Sequence, residues 1–265
     1  MCDSANAAGM DVEAAGVGTG AGTVVEVLYP EYANQAGDNG NAMYLRACLP
    51  NATFVETTHD DVPYFAEHKP SLVLLCGMSE AQQEKTIELL MPYRERLAQL
   101  VDAGVPMLFT GSAPEVLGTK IVNPDGSEVE GLGLLDFVTS RNMPERYHDV
   151  VIGDFVPQPG EKPIKVVGFK IQFTQMEGHN QAGYFCHDEV GFGLNKQTKL
   201  EGFRKNNLMA TWLIGPLLPL NPDFTRYLLD LIGEKDAPLA FEDEVRTAYA
   251  ERLKTFRLPG MGLAY

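Results

Sequence analysis

Two short apolar runs, Ser71-Leu-Val-Leu-Leu-Cys-Gly77 and Val105-Pro-Met-Leu-Phe-Thr110, bracket a segment of helical character, and this alternation restricts the chain to few folds. A strand apolar on consecutive residues must be buried on both faces, as happens in a parallel sheet covered by helices on each side. Between the runs, Ser79-Glu-Ala-Gln82 matches a helix-start box, and Ile87, Leu90, Met91, Leu97, Leu100 and Val101 follow at near-helical spacing. Pro92 is expected to kink or divide this helix, since it lacks an N–H and its ring collides with the preceding turn. Upstream, Thr23–Tyr29 and Ala52–Thr58 read as two further strands. The N-terminal half is therefore expected to be a doubly wound α/β unit.

Beyond Phe137 the rhythm changes to short strands without long helices: Asp149–Gly153, Lys165–Gln172 and Tyr184–Cys186. These are expected to be mixed or antiparallel and to extend or flank the main sheet. Asn207–Pro219 reads as another strand, followed by a helix from Pro222 that carries Phe224, Tyr227, Leu228 and Leu231. A last helix, Phe241–Arg257, has a narrow stripe of Val245, Tyr249 and Leu253 that suits packing on the outside.

The 265 residues, 45% of them hydrophobic, can bury one sizeable core. Residues 1–22 are rich in Ala and Gly, lack Lys and Arg, and carry Asp3, Asp11 and Glu13 where a signal peptide has its apolar run. The expected organisation is a flexible extension over 1–22, one domain over 23–235 and a helical tail over 236–265 packed on that domain. With 21 Lys and Arg against 36 Asp and Glu, the net charge of −15 repels phosphate backbones and anionic lipid, so neither nucleic acid nor membrane is an expected partner. No apolar run reaches the roughly 18 residues of a membrane span, and a cytoplasmic location is expected. Cys2, Cys48, Cys76 and Cys186 are scattered, with no paired spacing and no His at ligand spacing, so no disulfide framework, metal or cofactor is implied.

The stretch from Gly104 to Gly118 reads as a buried strand that breaks sharply into a helix at Gly111. In α/β enzymes such a corner lifts a nucleophile clear of the sheet beside backbone N–H groups, yet here the tip has no side chain. Asn34, Gly37, Asp38, Gly40 and Asn41 lie in a turn-rich loop after the first strand, a common ligand position, although a helix-entry turn is the simpler account of them. Ser112 or Thr110 would need an adjacent base to act as a nucleophile, and His148, His179 and His187 stand at no recognised base position. Cys76 reads as an inert buried thiol, and Cys186 and His187 as strand neighbours pointing apart. Glu115 and Asp38 could hold a cation or amine, but helix-start charge and turn formation are the simpler roles, and Lys170 and Arg204 read as solvated surface.

Four blocks carry a family resemblance: Asn34–Asn41; Gly104-Val-Pro with Leu117-Gly118; Asn123–Phe137; and Asn207-Leu with Gly215-Pro-Leu-Leu-Pro219. They resemble the class I glutamine amidotransferase domains of the CobB/CobQ (cobyric acid synthase) type, and within these most closely the GatD-type glutaminase subunits of lipid II isoglutaminyl synthases. The resemblance implies a flavodoxin-like fold, with a mostly parallel central sheet flanked by helices, extra short strands in the C-terminal half and the active site at the strand ends. It also implies a Cys at the elbow that attacks the glutamine side-chain amide, a His on a later strand that activates it, and ammonia passed to a synthetase.

Matched position by position, the family's Cys-Gly-Gly-Tyr-Gln becomes Gly111-Ser-Ala-Pro-Glu115, and Tyr-Leu-His-Gly-Pro becomes Trp212-Leu-Ile-Gly-Pro216. Gly111 and Ile214 thus stand at the Cys and His positions. The substrate loop is Cys76-Gly-Met-Ser79, and the family's Gly-Phe-Glu-Asn-His-Gly-Gly-Arg becomes Gly168-Phe-Lys-Ile-Gln-Phe-Thr-Gln175. The resemblance implies a vestigial pocket with Asn34, Asp38, Gly77, Met78, Ser112, Glu115 and Gln175 as candidates. The expected function is a partner or regulatory subunit of a Mur-ligase-like synthetase, without glutaminase activity. The alternatives are an enzyme of changed chemistry using Ser112, Glu115 and Asp38, or a small-ligand-binding module.

Overall fold

The apolar runs become central strands of a six-stranded sheet in the computed structural model, which describes residues 22–142 and 146–261. The N-terminal half supplies β1 (Val24–Leu28), β2 (Thr53–Thr57), β3 (Leu72–Leu75) and β4 (Met107–Thr110). Then follow β5 (Lys120–Val122), β6 (Glu128–Glu130), β7 (Phe137–Arg141), β8 (Tyr147–Phe155), β9 (Ile164–Gln172) and β10 (Thr174–Gly178). The last strands are β11 (Cys186–Val190), β12 (Leu200–Glu201), β13 (Phe203–Lys205) and β14 (Leu208–Thr211). The main helices are α1 (Gly40–Cys48), α2 (Tyr64–Glu67), α3 (Glu80–Leu90), α4 (Arg94–Asp102), α5 (Leu217–Leu220), α6 (Pro222–Leu231) and α7 (Glu242–Thr255).

The central order is β13-β14-β4-β3-β1-β2, parallel except for β13 against β14. Side chains alternate between two core layers, as the strand pleat requires. Val73, Leu75, Met107, Phe109 and Leu208 join α3 and α4 on one face, while Leu72, Leu74, Leu108 and Met209 join α1 and α6 on the other. Pro92 divides the long helical segment into α3 and α4 through a single 3-10 turn, Met91–Tyr93.

Two four-stranded sheets flank this core, β10-β7-β5-β6 and β12-β11-β8-β9. The strand expected over Asn207–Pro219 is shorter: it ends at Thr211, and α5 begins at Leu217. The strand expected at Tyr184–Cys186 instead starts at Cys186 and runs on to Val190. In the tail, Tyr249 Oη donates to the Lys165 carbonyl at 2.7 Å and Phe256 packs edge-on against Phe169. The extension expected over 1–22 lies outside the described residues except for Gly22, as do residues 262–265. No described helix is long and apolar enough to cross a membrane.

Lys170 and Arg204 correct the solvated-surface reading. The Lys170 and Glu201 side chains are both 0% exposed, with Nζ 2.5 Å from Glu201 Oε2, and Nζ also donates to the carbonyls of Phe192 and Gly193. Arg204 lies over the Phe155 ring and donates to the Val156 and Pro157 carbonyls. Lys170 has exchanged water for buried acceptors, which is how a burial cost of this kind is offset, while Arg204 is half-buried and keeps part of its solvent contact.

Candidate functional site

The chain leaves β1 for β2 on one side and crosses to β3 on the other, so the sheet opens a crevice at the C-terminal ends of β1 and β3. The loop after β1 closes it, with Gln35 N–H donating to the Gly77 carbonyl at 2.9 Å. Asp38 is fully buried beneath this loop. Its carboxylate accepts from Thr110 Oγ1 at 2.5 Å, Gly77 N–H at 3.2 Å and Asn41 Nδ2 at 2.9 Å. Asp38 therefore ties the ends of β3 and β4 to the first loop, where turn formation was expected. Burial pushes its carboxyl up despite these donors.

β4 ends at Thr110, and Gly111 follows at φ +65°, in the left-handed region that glycine tolerates. The next element is a 3-10 helix, Ala113–Leu117, rather than an α-helix. The block from Asn123 to Phe137 wraps this corner: Leu132 N–H donates to Val116 O, and the N–H groups of Leu134 and Leu135 both donate to Leu117 O. A Cβ at Gly131 would lie 2.2 Å from the Gly118 carbonyl oxygen, so only glycine permits that approach. At Gly111 an added Cβ would lie 3.0 Å from Gly77 Cα and 3.1 Å from Ile214 Cγ2. The space for a side chain at the elbow is thus narrowed as well as vacant.

Ser112 turns back onto the neighbouring strand end. Its hydroxyl accepts from Met78 N–H at 2.8 Å and donates to the Met78 carbonyl at 2.6 Å. The backbone donor beside the elbow is consumed, and the serine proton is directed at a carbonyl that cannot act as a base. No histidine lines the pocket; His179 and His187 are exposed elsewhere. A serine nucleophile needs a paired base, and this arrangement lacks one.

The pocket, about 110 Å³ in volume, is lined by apolar Met78, Ile171, Phe173, Trp212 and Ile214 and by polar Glu80, Gln83, Glu115 and Gln172. Glu115 is buried and accepts from Thr174 Oγ1 at 2.7 Å, Gln83 Nε2 at 2.9 Å and Trp212 Nε1 at 3.2 Å. Burial raises its pKa, with these donors opposing. Arg141 stands behind: it donates to Gln83 Oε1 at 2.9 Å and to Glu84 Oε1 at 2.6 Å, which turns the Gln83 amide N–H toward Glu115. This is a far more built environment than a helix-start charge.

Gly77, Met78, Gly111, Ser112, Glu115 and Ile214 all line the pocket, whereas Asn34, Asp38 and Gln175 do not. Asn34 is exposed, and its side chain accepts from Asn39 N–H at 2.9 Å. Gln175 donates to the Thr174 carbonyl at 2.9 Å; Gln172, Phe173 and Thr174 take the pocket positions instead. Glu80, Gln83, Arg141, Gln172 and Trp212 escape the sequence reading. Glu80 and Gln83 carried a signal, being three residues apart at the start of a helix that follows a strand-end loop. Among described residues no group of His, Cys, Asp and Glu is placed to hold a metal, and Cys48, Cys76 and Cys186 are buried thiols whose pKa burial raises.

The buried carboxyls set a pH dependence. Burial raises Glu26, Asp38 and Glu115, and pushes Asp188 up to about 9 with Glu201 adding repulsion. Above the unfolded value the unfolded chain has released protons that the fold retains, so stability falls as pH rises toward each folded value. Glu189, held at about 2 by Arg257 and Lys165, acts in the opposite sense only in acid. The thermal midpoint is therefore expected to fall from about pH 5 to about pH 9, and Asp188→Asn to flatten that slope. A midpoint that rises over this window would contradict the assignment.

A model of the CobB/CobQ-like glutamine amidotransferase domain matches residues 24–221. The chain belongs to this family. The lipid II isoglutaminyl synthase (glutamine-hydrolyzing) subunit GatD of Staphylococcus aureus (strain N315) is 32% identical over 159 residues, which are 60% of this chain and 62% of that one. The match thus spans less than two thirds of that relative's length. A solved glutamine amidotransferase structure superposes with a TM-score of 0.50 at 14% identity, covering 78% of this chain and 98% of its own. Another, from Thermotoga maritima, gives 0.47 at 12% identity over 88% and 95%. The β2-β1-β3-β4 order, continued by parallel β14, is the flavodoxin-like order of class I amidotransferases.

Proposed function

We propose that this chain is a glutamine amidotransferase-like subunit without glutaminase activity, acting in the cytoplasm as a partner or regulator of a Mur-ligase-like, ATP-using synthetase. One observation carries the loss of activity: the elbow tip is a glycine faced at 3.1 Å by Ile214 Cγ2, so neither a thiol nor an imidazole reaches the reacting position. Amide hydrolysis through an acyl-enzyme needs both. The Ser112 hydroxyl, locked on Met78, supplies no replacement. The partner role is supported by the intact scaffold around the lost pair and by GatD, which is named as a subunit of a synthase.

The purified chain is expected to release no ammonia from glutamine above the spontaneous rate, measured by coupled glutamate formation. Release that survives further purification would mean that another group does this chemistry. Co-purification from the native cell is expected to recover a ligase-like protein, and recovery of none counts against the partner role. The buried Gln172 side chain, whose Oε1 has no partner within the protein, supports a second reading in which the pocket keeps a small ligand.

A further inference from the structure

We propose that the pocket beside Gly111 binds a small organic cation, a primary ammonium head on a short apolar stem. This rests on the reading that the pocket no longer performs acyl chemistry. Gln172 is only 5% exposed, and its amide orientation is set by Nε2 donating to the Thr174 carbonyl at 2.8 Å. The reversed amide would press oxygen against oxygen. Oε1 is therefore an acceptor, and it has no partner within the protein. A buried polar atom without a partner is costly, and a ligand that donates to it removes that cost.

The rest of the lining selects the sign of the ligand. Glu80 and Glu115 line the pocket and, among the described residues, no Lys or Arg does; Arg141 stands behind, engaged with Gln83, Glu84 and Asn123 although its Nε has no partner, and Arg146 lies over the Phe173 ring. The Met78 N–H, which a carbonyl or carboxylate oxygen would need, is held by Ser112. The lining thus offers the open Gln172 acceptor and the Glu80 carboxyl but no cation of its own, which favours a head that only donates. Trp212, Phe173, Ile171 and Ile214 supply the apolar part of the lining, suited to an alkyl stem, and the Trp212 ring suits a cation. The cavity of about 110 Å³ admits a few heavy atoms.

The test is calorimetric titration of the intact chain with n-butylammonium, butyramide, butyrate and glutamine as probes. Butylammonium is expected to bind with a Kd of about millimolar order, and butyrate not at all. Gln172→Met should weaken butylammonium at least about tenfold, the loss of one hydrogen bond to a charged donor. Glu80→Gln, at a half-buried lining position, should weaken it by a smaller factor, and it decides the matter if Gln172→Met no longer shows a cooperative thermal transition. Butyramide or glutamine binding as tightly as butylammonium overturns the proposal in favour of a neutral amide site. Absence of saturable binding by any probe, or binding indifferent to the decisive variant, overturns it as well. Ammonia release is read separately, so a glutaminase signal and a failed titration remain distinguishable.

Discussion

Lys170→Met is expected to cost about 3–5 kcal/mol of folding free energy, the range for removing one partner of a buried ion pair. Lys170 supplies charge to Glu201 where no water reaches either group. Glu201 in turn accepts from Thr211 Oγ1 and from Trp212 N–H, each at 2.8 Å, so it is bound to the backbone that carries the pocket's indole. Methionine matches the lysine stem in bulk but leaves a buried carboxylate without its cation. The double variant Lys170→Met/Glu201→Gln should regain at least half of the loss, because the amide oxygen still accepts from Trp212 and Thr211 while the stranded charge is gone. Urea denaturation of the three proteins measures this. A single variant as stable as the native chain, or a double variant no better than the single, would show that the pair is not the seat of the energy.

On the proposed reading, glutaminase activity is expected to appear when Gly111 and Ile214 change together and to reach its full rate only when Ser112 changes with them. Gly111→Cys supplies the nucleophile, and Ile214→His supplies the base while removing the Cγ2 that lies 3.1 Å from a Cβ at the elbow. With Ser112 in place, Met78 N–H still bonds to its hydroxyl and is unavailable to a developing oxyanion. One such donor is worth about 10²–10³ in kcat. The triple variant with Ser112→Gly should therefore exceed the Cys/His double variant by about that factor in ammonia release. Equal, measurable rates would mean that Met78 N–H is not the donor. Silence in both, with the fold intact, would place the further defect in glutamine recognition, where Gln172, Glu80 and Glu115 now shape the pocket.

Much of this scaffold was legible because it depends on short-range patterns. Consecutive apolar residues marked β3 and β4 as buried on both faces, Pro92 marked the break between α3 and α4, and Ser79-Glu-Ala-Gln82 marked the start of α3, where Gln82 Oε1 accepts from Ser79 N–H at 2.9 Å. The glycine at the elbow tip was equally plain, since a missing side chain is visible without coordinates. β9 was misleading in its facing. It buries Lys170 and Gln172 while Phe169 and Ile171 are exposed at 36% and 54%, the reverse of what a hydrophobic pattern indicates. The pleat alternates strictly, so register alone decides which set faces in. Here the inward side offered Lys170 a carboxylate and two carbonyls, and the outward side gave Phe169 a partner in Phe256.

The sequence by itself determined the doubly wound sheet, the corner at Gly111 and the presence there of a glycine in place of any reactive side chain, because each follows from residue type and local spacing. Only the tertiary structure decided how the pocket beside that corner is lined. Glu115 is satisfied by Gln83, Thr174 and Trp212, which lie 32, 59 and 97 residues away, and Ser112 is locked by Met78 across 34 residues. The Gln172 acceptor is left open by the turn of its own amide toward Thr174. Hydrogen-bond satisfaction in a buried pocket depends on which distant strands and helices meet there, and no local pattern of apolar and polar residues encodes that meeting.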